Sequence, residues 1–159
     1  MARRKQVLKS SIDSDVCLIG ITCQLKSYRL SFSINKALRF QFRRIDDLEV
    51  PGFSGNDILA YPFLVYDHPD LKNLFCLVSN YHPQKKLISS MRQVDYFLVA
   101  KTPLDKYTKS SFMEKLRKIS QVVAVYEINP DSNKDMDQLL EDLELHILVS
   151  NKKRNAARA

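Results

Sequence analysis

Leu87-Ile88-Ser89-Ser90-Met91-Arg92-Gln93-Val94-Asp95-Tyr96-Phe97-Leu98-Val99-Ala100 decides how the chain is read. A polar link over residues 81–91 runs into a branched and aromatic segment over 94–100, the expected central strand of one small domain. Thr102-Pro103 stops it. In the strand, Tyr96 and Leu98 share one face while Asp95, Phe97 and Val99 share the other.

Upstream, Val16 to Cys23 is continuously apolar, as suits a first strand covered on both faces or placed centrally. Ser27 is the expected cap of a helix with Leu30, Ile34, Ala37 and Leu38 at helical spacing. Phe40 to Ile45 alternates as a half-exposed strand that Asp46-Asp47 should end, and the glycine-bearing loop 51–57 follows. Leu59–Tyr66 and Asn73–Asn80 should pair as a hairpin across His68-Pro69-Asp70-Leu71. Pro62 argues for an edge position there, since it donates no ladder hydrogen bond.

Downstream, Ser111-Phe112-Met113-Glu114 has capping-box spacing, and Phe112, Met113, Leu116 and Ile119 make the apolar stripe of a second helix. Val122–Ile128 is the last strand. A final helix runs from about Ser132 into the 140s, with Met136, Leu139, Leu140, Leu143 and Ile147 on one face. This order predicts an α+β fold: a single mostly antiparallel sheet with helices packed on a face. A ferredoxin-like split expanded by the central hairpin is preferred, with a profilin-like or longin-like sandwich as the alternative.

The 159 residues, 45% of them hydrophobic, suffice for one core and fall short of two. The net charge of +7 sits at the ends. Residues 1–9 carry Arg3, Arg4, Lys5 and Lys9, and residues 151–159 carry Lys152, Lys153, Arg154 and Arg158, with no acid in either segment. The interior is left with 17 basic against 18 acidic residues, a charge of −1 over 10–150. The expected organisation is a basic, flexible N-terminal segment (1–14), one domain (15–150) and a basic, flexible C-terminal tail (151–159). Cys17, Cys23 and Cys76 lie in or beside apolar runs and read as buried thiols in a reducing compartment. No apolar run approaches the roughly 18 residues of a membrane span, and no secretory leader pattern is present, so the expected location is the cytoplasm, away from membranes.

Ile88, Val94, Asp95 and Tyr96 match the spacing Ile-Pro-Glu-x-x-x-Val-Asp-Tyr, with Ser89 and Ser90 in place of the Pro and Glu. The chain resembles the bacterial IPExxxVDY family on these residues. Leu18-Ile19-Gly20-Ile21, Tyr28-Arg29-Leu30 and Ile34-Asn35-Lys36-Ala37-Leu38 extend the likeness to roughly residues 15–130. The resemblance implies a compact soluble domain of about this length, with no reaction, cofactor or catalytic set to carry over.

Sites of chemistry are few. His68, Asp70 and His82 lack the paired spacing of zinc ligands and read as loop polars. Asp95 is either a general base or, by the commoner pattern, an acceptor of backbone hydrogen bonds from the Ser89-Ser90 loop. Arg43-Arg44 beside Asp46-Asp47 reads as a solvated strand end before a phosphate site. Tyr81-His82-Pro83-Gln84-Lys85-Lys86 has a ring and two cations, short of the several rings of a stacking platform. No glycine-rich nucleotide loop exists. With no nucleophile, metal or phosphate-loop constellation, and no cofactor implied, the expectation is a non-enzymatic binding or accessory module. Its basic ends, Arg3, Arg4, Lys5, Lys152, Lys153 and Arg154, would contact RNA or a ribonucleoprotein. The alternatives are a ligand or catalytic pocket beneath loops 51–57 and 81–91 that uses Asp95, and a protein-binding module that presents a sheet edge.

Overall fold

The apolar run after Asp15 forms β1 (Cys17–Cys23), followed by α1 (Ser27–Leu38), β2 (Arg43–Pro51), β3 (Ile58–His68), β4 (Asn73–Ser79) and β5 (Tyr96–Ala100). Then come α2 (Lys106–Arg117), β6 (Val122–Ile128), a 3-10 turn (Pro130–Ser132) and α3 (Lys134–Arg158). The structure is a computed structural model that describes residues 16–54, 56–132 and 134–158. Arg3, Arg4, Lys5 and the rest of segment 1–14 lie outside the described residues.

All six strands join one antiparallel sheet in the order β2-β3-β4-β5-β1-β6. β1 lies between β5 and β6, which α2 connects, so the interleaving is the expected ferredoxin-like split, with the meander β2 to β5 in place of a simple hairpin. Tyr96, Leu98 and Ala100 of β5 pack with Leu30, Ile34 and Leu38 of α1 and with Met113 and Leu116 of α2. Phe97 and Val99 point to the opposite face, where Met136, Leu139 and Leu143 of α3 cover the sheet together with Ile88 and Val94 of the long link. Both faces are therefore buried, two helices on one and the third on the other. That explains why β1 and β5 read as unbroken apolar runs. Gly20 permits the closest of these contacts, because a Cβ there would come within 2.8 Å of Ile128 Cδ1 and 3.1 Å of Val94 Cγ2.

Several local expectations are corrected. Pro62 is not on an edge strand, since β3 lies between β2 and β4. The register of β2 with β3 shifts between Ile45 and Leu48, and the pairing of β3 with β4 begins only at Phe63. Pro62 thus falls opposite a bulge and beyond the paired part of β4, where its missing N–H costs no ladder bond. Asp46 and Asp47 do not end β2; they form that bulge, and Asp47 pairs with Arg44 at 2.8 Å. Ser27 is the first residue of α1, not its cap, and Lys26 in the N-cap position makes no side-chain cap bond. Ser111 and Glu114 lie inside α2, whose cap is Asp105: its carboxylate accepts from Thr108 N at 2.8 Å and from Thr108 Oγ1 at 2.7 Å. Residues 151–158, expected as a tail, continue α3. They contain neither Gly nor Pro, and their alanines and cations favour a helix C-terminus through propensity and the helix dipole.

Candidate nucleic-acid interface

A buried asparagine stands at each end of β4 and organises that end of the sheet. Asn80, with no solvent exposure, holds the long link between β4 and β5. Its Oδ1 accepts from Ile88 N at 2.6 Å, while Nδ2 donates to Val94 O at 2.7 Å and to Met91 O at 3.1 Å. Its backbone N–H donates to Asp95 O, and its carbonyl accepts from Leu87 N. The link is thereby pressed onto the core, and Ile88 and Val94 fill the space beneath it. Sequence reasoning missed Asn80, since an asparagine after an apolar run resembles an ordinary turn residue.

Asp95 belongs to the same structure. Its Oδ2 accepts from Cys23 N at 2.8 Å, and Lys86 Nζ stands 3.9 Å from Oδ1. The expected bonds from the Ser89-Ser90 backbone are therefore replaced by one from β1: Asp95 ties the start of β5 to the end of its neighbour. Tyr96 donates to Leu25 O at 2.5 Å, and burial pushes its phenol above its ordinary range. Ile88, Val94, Asp95 and Tyr96 thus meet at one end of the sheet, Ile88 and Val94 on the face that α3 covers and Tyr96 on the other. At its surface, loops 51–57 and 81–91 meet, with Lys85 Nζ over the exposed Phe53 ring at 5.2 Å and Lys86 Nζ over Tyr81 at 5.9 Å.

The thiols of Cys17, Cys23 and Cys76 are buried, and burial raises the pKa of each, that of Cys76 to about 12. They are protonated packing groups at neutral pH. His68, the last residue of β3 and paired with Asn73, and His82, beyond the other end of β4, are at opposite ends of the β3–β4 pair and accept from Leu71 N and Gln84 N respectively. Among the described residues no group of three His, Cys, Asp or Glu side chains is placed to hold a metal ion.

The opposite end of β4 begins at Asn73, whose side chain exchanges two 3.0 Å bonds with the backbone of Thr102. This fixes Lys101 at the foot of β5. A groove of about 770 Å³ opens there between the sheet and the last turns of α3. Arg43 of β2, Lys101 and Arg154 of α3 line it, along with Asp46 and Asp67. Asp46 already faces one cation, as Lys153 Nζ lies 3.5 Å from its carboxylate, and its carbonyl meets His146 Nε2 at 2.6 Å. Lys152 and Lys153 are exposed on the same helical segment. Of the predicted contact residues, Arg154 is thus joined by Arg43 and Lys101, which the sequence does not place together. Only the register Arg43↔Val65, Asp67↔Leu74 and Phe75↔Ala100 does so.

No family model and no curated protein matches the chain. Among the described residues no helix is long and apolar enough to cross a membrane.

Proposed function

We propose that this chain is a non-enzymatic binding module for RNA, contacting the phosphate backbone at the sheet end where Arg43, Lys101 and Arg154 share a groove. That convergence carries the reading: cations from β2, from the foot of β5 and from α3 surround one concave surface, flanked by exposed Lys152 and Lys153. Phosphates favour such a surface through counterion release, and planar guanidinium groups grip their oxygens in pairs. Long side chains on a helix end and a strand end reach backbone rather than base edges, so binding is weakly dependent on sequence. The resemblance to the IPExxxVDY family adds no contrary activity.

The test is RNA binding by the full chain across a salt series, with Arg43→Ala, Lys101→Ala and Arg154→Ala. For single-stranded RNA each lost phosphate contact should reduce the slope of log K against log salt by about 0.7 to 1 and weaken different sequences alike. Parent-like affinity and slope in all three variants would remove RNA from this groove. So would an absence of binding by the parent at low salt.

A further inference from the structure

We propose that the end of the sheet opposite the groove is a stacking site for unpaired RNA bases, built from the exposed rings of Phe53 and Tyr81 with Lys85 and Lys86 beside them. This rests on the reading of the chain as an RNA-binding module, and it adds to that reading a preference for single strands. β2 begins at Arg43 in the groove and ends at Pro51, two residues before Phe53. The two places therefore stand a strand's length apart, about 26 Å at roughly 3.3 Å per residue.

In the sequence Tyr81 is one ring beside two cations, and the fold adds a second ring. Loop 51–57, between β2 and β3, meets the link that follows β4, so that Lys85 Nζ lies 5.2 Å from the centre of the Phe53 ring. The next residue, Lys86, places its Nζ 5.9 Å from the centre of the Tyr81 ring. Two adjacent lysines thus stand each against its own ring. Phe53 is 76% exposed and Tyr81 58%, so ring surface remains for a base.

The backbone beneath both rings is fixed. Gly52 N–H donates to Asp57 O at 2.8 Å and closes the loop, whose arms come so near that a Cβ on Gly52 would lie 2.9 Å from Asp57 Cβ. Tyr81 N–H donates to Ser79 Oγ at 3.1 Å, directly after buried Asn80. Buried Tyr61 donates its hydroxyl to the Lys85 carbonyl at 2.5 Å, and its ring packs on His82 with centroids 5.5 Å apart. A fixed backbone under exposed rings spares a ligand part of the ordering cost of binding. Every base has a π face to stack on such rings, and ammonium groups beside them meet the phosphates between stacked bases. Lys86 is shared with Asp95 Oδ1 at 3.9 Å, which leaves Lys85 the stronger phosphate contact. Paired bases inside a duplex offer no free face, so the site selects single strands.

The test is binding of an oligouridylate of about 12 nucleotides, within the range one small module covers, and of its duplex with oligoadenylate, to the full chain over a salt series. Phe53→Ala and Tyr81→Ala should each weaken the single strand roughly 5- to 150-fold, the worth of one stacked base, and leave the slope of log K against log salt unchanged. Duplex binding should not change. Phe53→Leu should lose as much as alanine, and Phe53→Trp should keep the parent's affinity. Both rings are exposed, so these substitutions leave the fold intact. Parent-like binding of the single strand by both alanine variants, equal losses on single strand and duplex, or parent affinity in Phe53→Leu would overturn the stacking site. The groove fails separately: Arg43→Ala, Lys101→Ala and Arg154→Ala would then keep the parent's affinity and slope while the ring variants still weaken the single strand. No binding of either nucleic acid by the parent at low salt would overturn both.

Discussion

Asn80→Ala should be among the most destabilising single substitutions in this chain. The magnitude follows from the partners it leaves. The carbonyls of Ile88 and Met91 also accept turn bonds from Met91 N and Val94 N, both at 3.1 Å, so they keep a partner. The Ile88 N–H and the Val94 carbonyl depend on the amide, through bonds of 2.6 and 2.7 Å in a fully buried setting. Leaving a buried polar group unsatisfied costs about 1–3 kcal/mol, so two give roughly 2–6 kcal/mol, against a total stability of about 5–15. Asn80→Asp sharpens the reasoning. It keeps the acceptor for Ile88 N but turns a carboxylate oxygen toward the Val94 and Met91 carbonyls, so at neutral pH it should be less stable than the alanine variant. Burial and facing carbonyls would raise the folded pKa of that carboxyl. Its relative stability is then highest below the unfolded value of about 3.9 and falls as pH rises from there through the folded value. Urea unfolding at constant m reads both variants, and amide exchange at Leu87 and Ile88 locates the effect. A cost below about 1 kcal/mol for alanine, or an aspartate variant as stable as the parent, would refute the network as the anchor of the link.

Leu116, with no exposure, should cost about 2–5 kcal/mol on truncation to alanine, whereas exposed Lys115→Ala should stay within about 0.5 of zero; equal effects in denaturant titration would mean α2 is turned the other way. Because burial raises the Cys17, Cys23 and Cys76 thiols, native protein at pH 8 should react with a thiol reagent far more slowly than unfolded protein, and rapid native labelling would contradict their packing. The sign for Cys76 is that of an acid with a raised folded pKa: its contribution is intact below the ordinary value of 9.0 and is lost as pH climbs toward about 12.

What the sequence revealed was period and burial; what it hid was register. β1, β5 and β6 stand where their apolar runs lie, and the stripes Leu30-Ile34-Leu38, Met113-Leu116 and Met136-Leu139-Leu143 face the core. Pro62 misled because its tolerance depends on a bulge in another strand and on where a third strand stops. The capping-box spacing of Ser111 and Glu114 misled, because α2 starts earlier at Asp105, which Thr108 meets with both its amide and its hydroxyl. At the candidate site, Arg154 was visible as part of a charge run. Arg43 reads with Arg44 as a solvated strand end before a phosphate site, and Lys101 gives no signal, since nothing local relates residues so distant in the chain and the near-neutral interior averages them out.

That averaging is the physical point on which the functional reading turns. Alternation of six antiparallel strands sends the starts of β1, β2 and β4 and the ends of β3, β5 and β6 to one end of the sheet. Val16, Arg43 and Lys101 are therefore neighbours of that end by topology, and α3 brings Arg154 to the groove beside them. Charges beyond about 10 Å of solvent are largely screened at 0.1 M salt, while α3 alone extends roughly 37 Å at 1.5 Å per residue. An anion at this end consequently responds to the charges found there, Arg43, Lys101 and Arg154 against Asp46 and Asp67, and hardly at all to charges at the other. The interior sum of −1 describes no place on the surface. The basic segment 151–158 reaches that end through α3, so its cations act there as a local field rather than as a property of the whole.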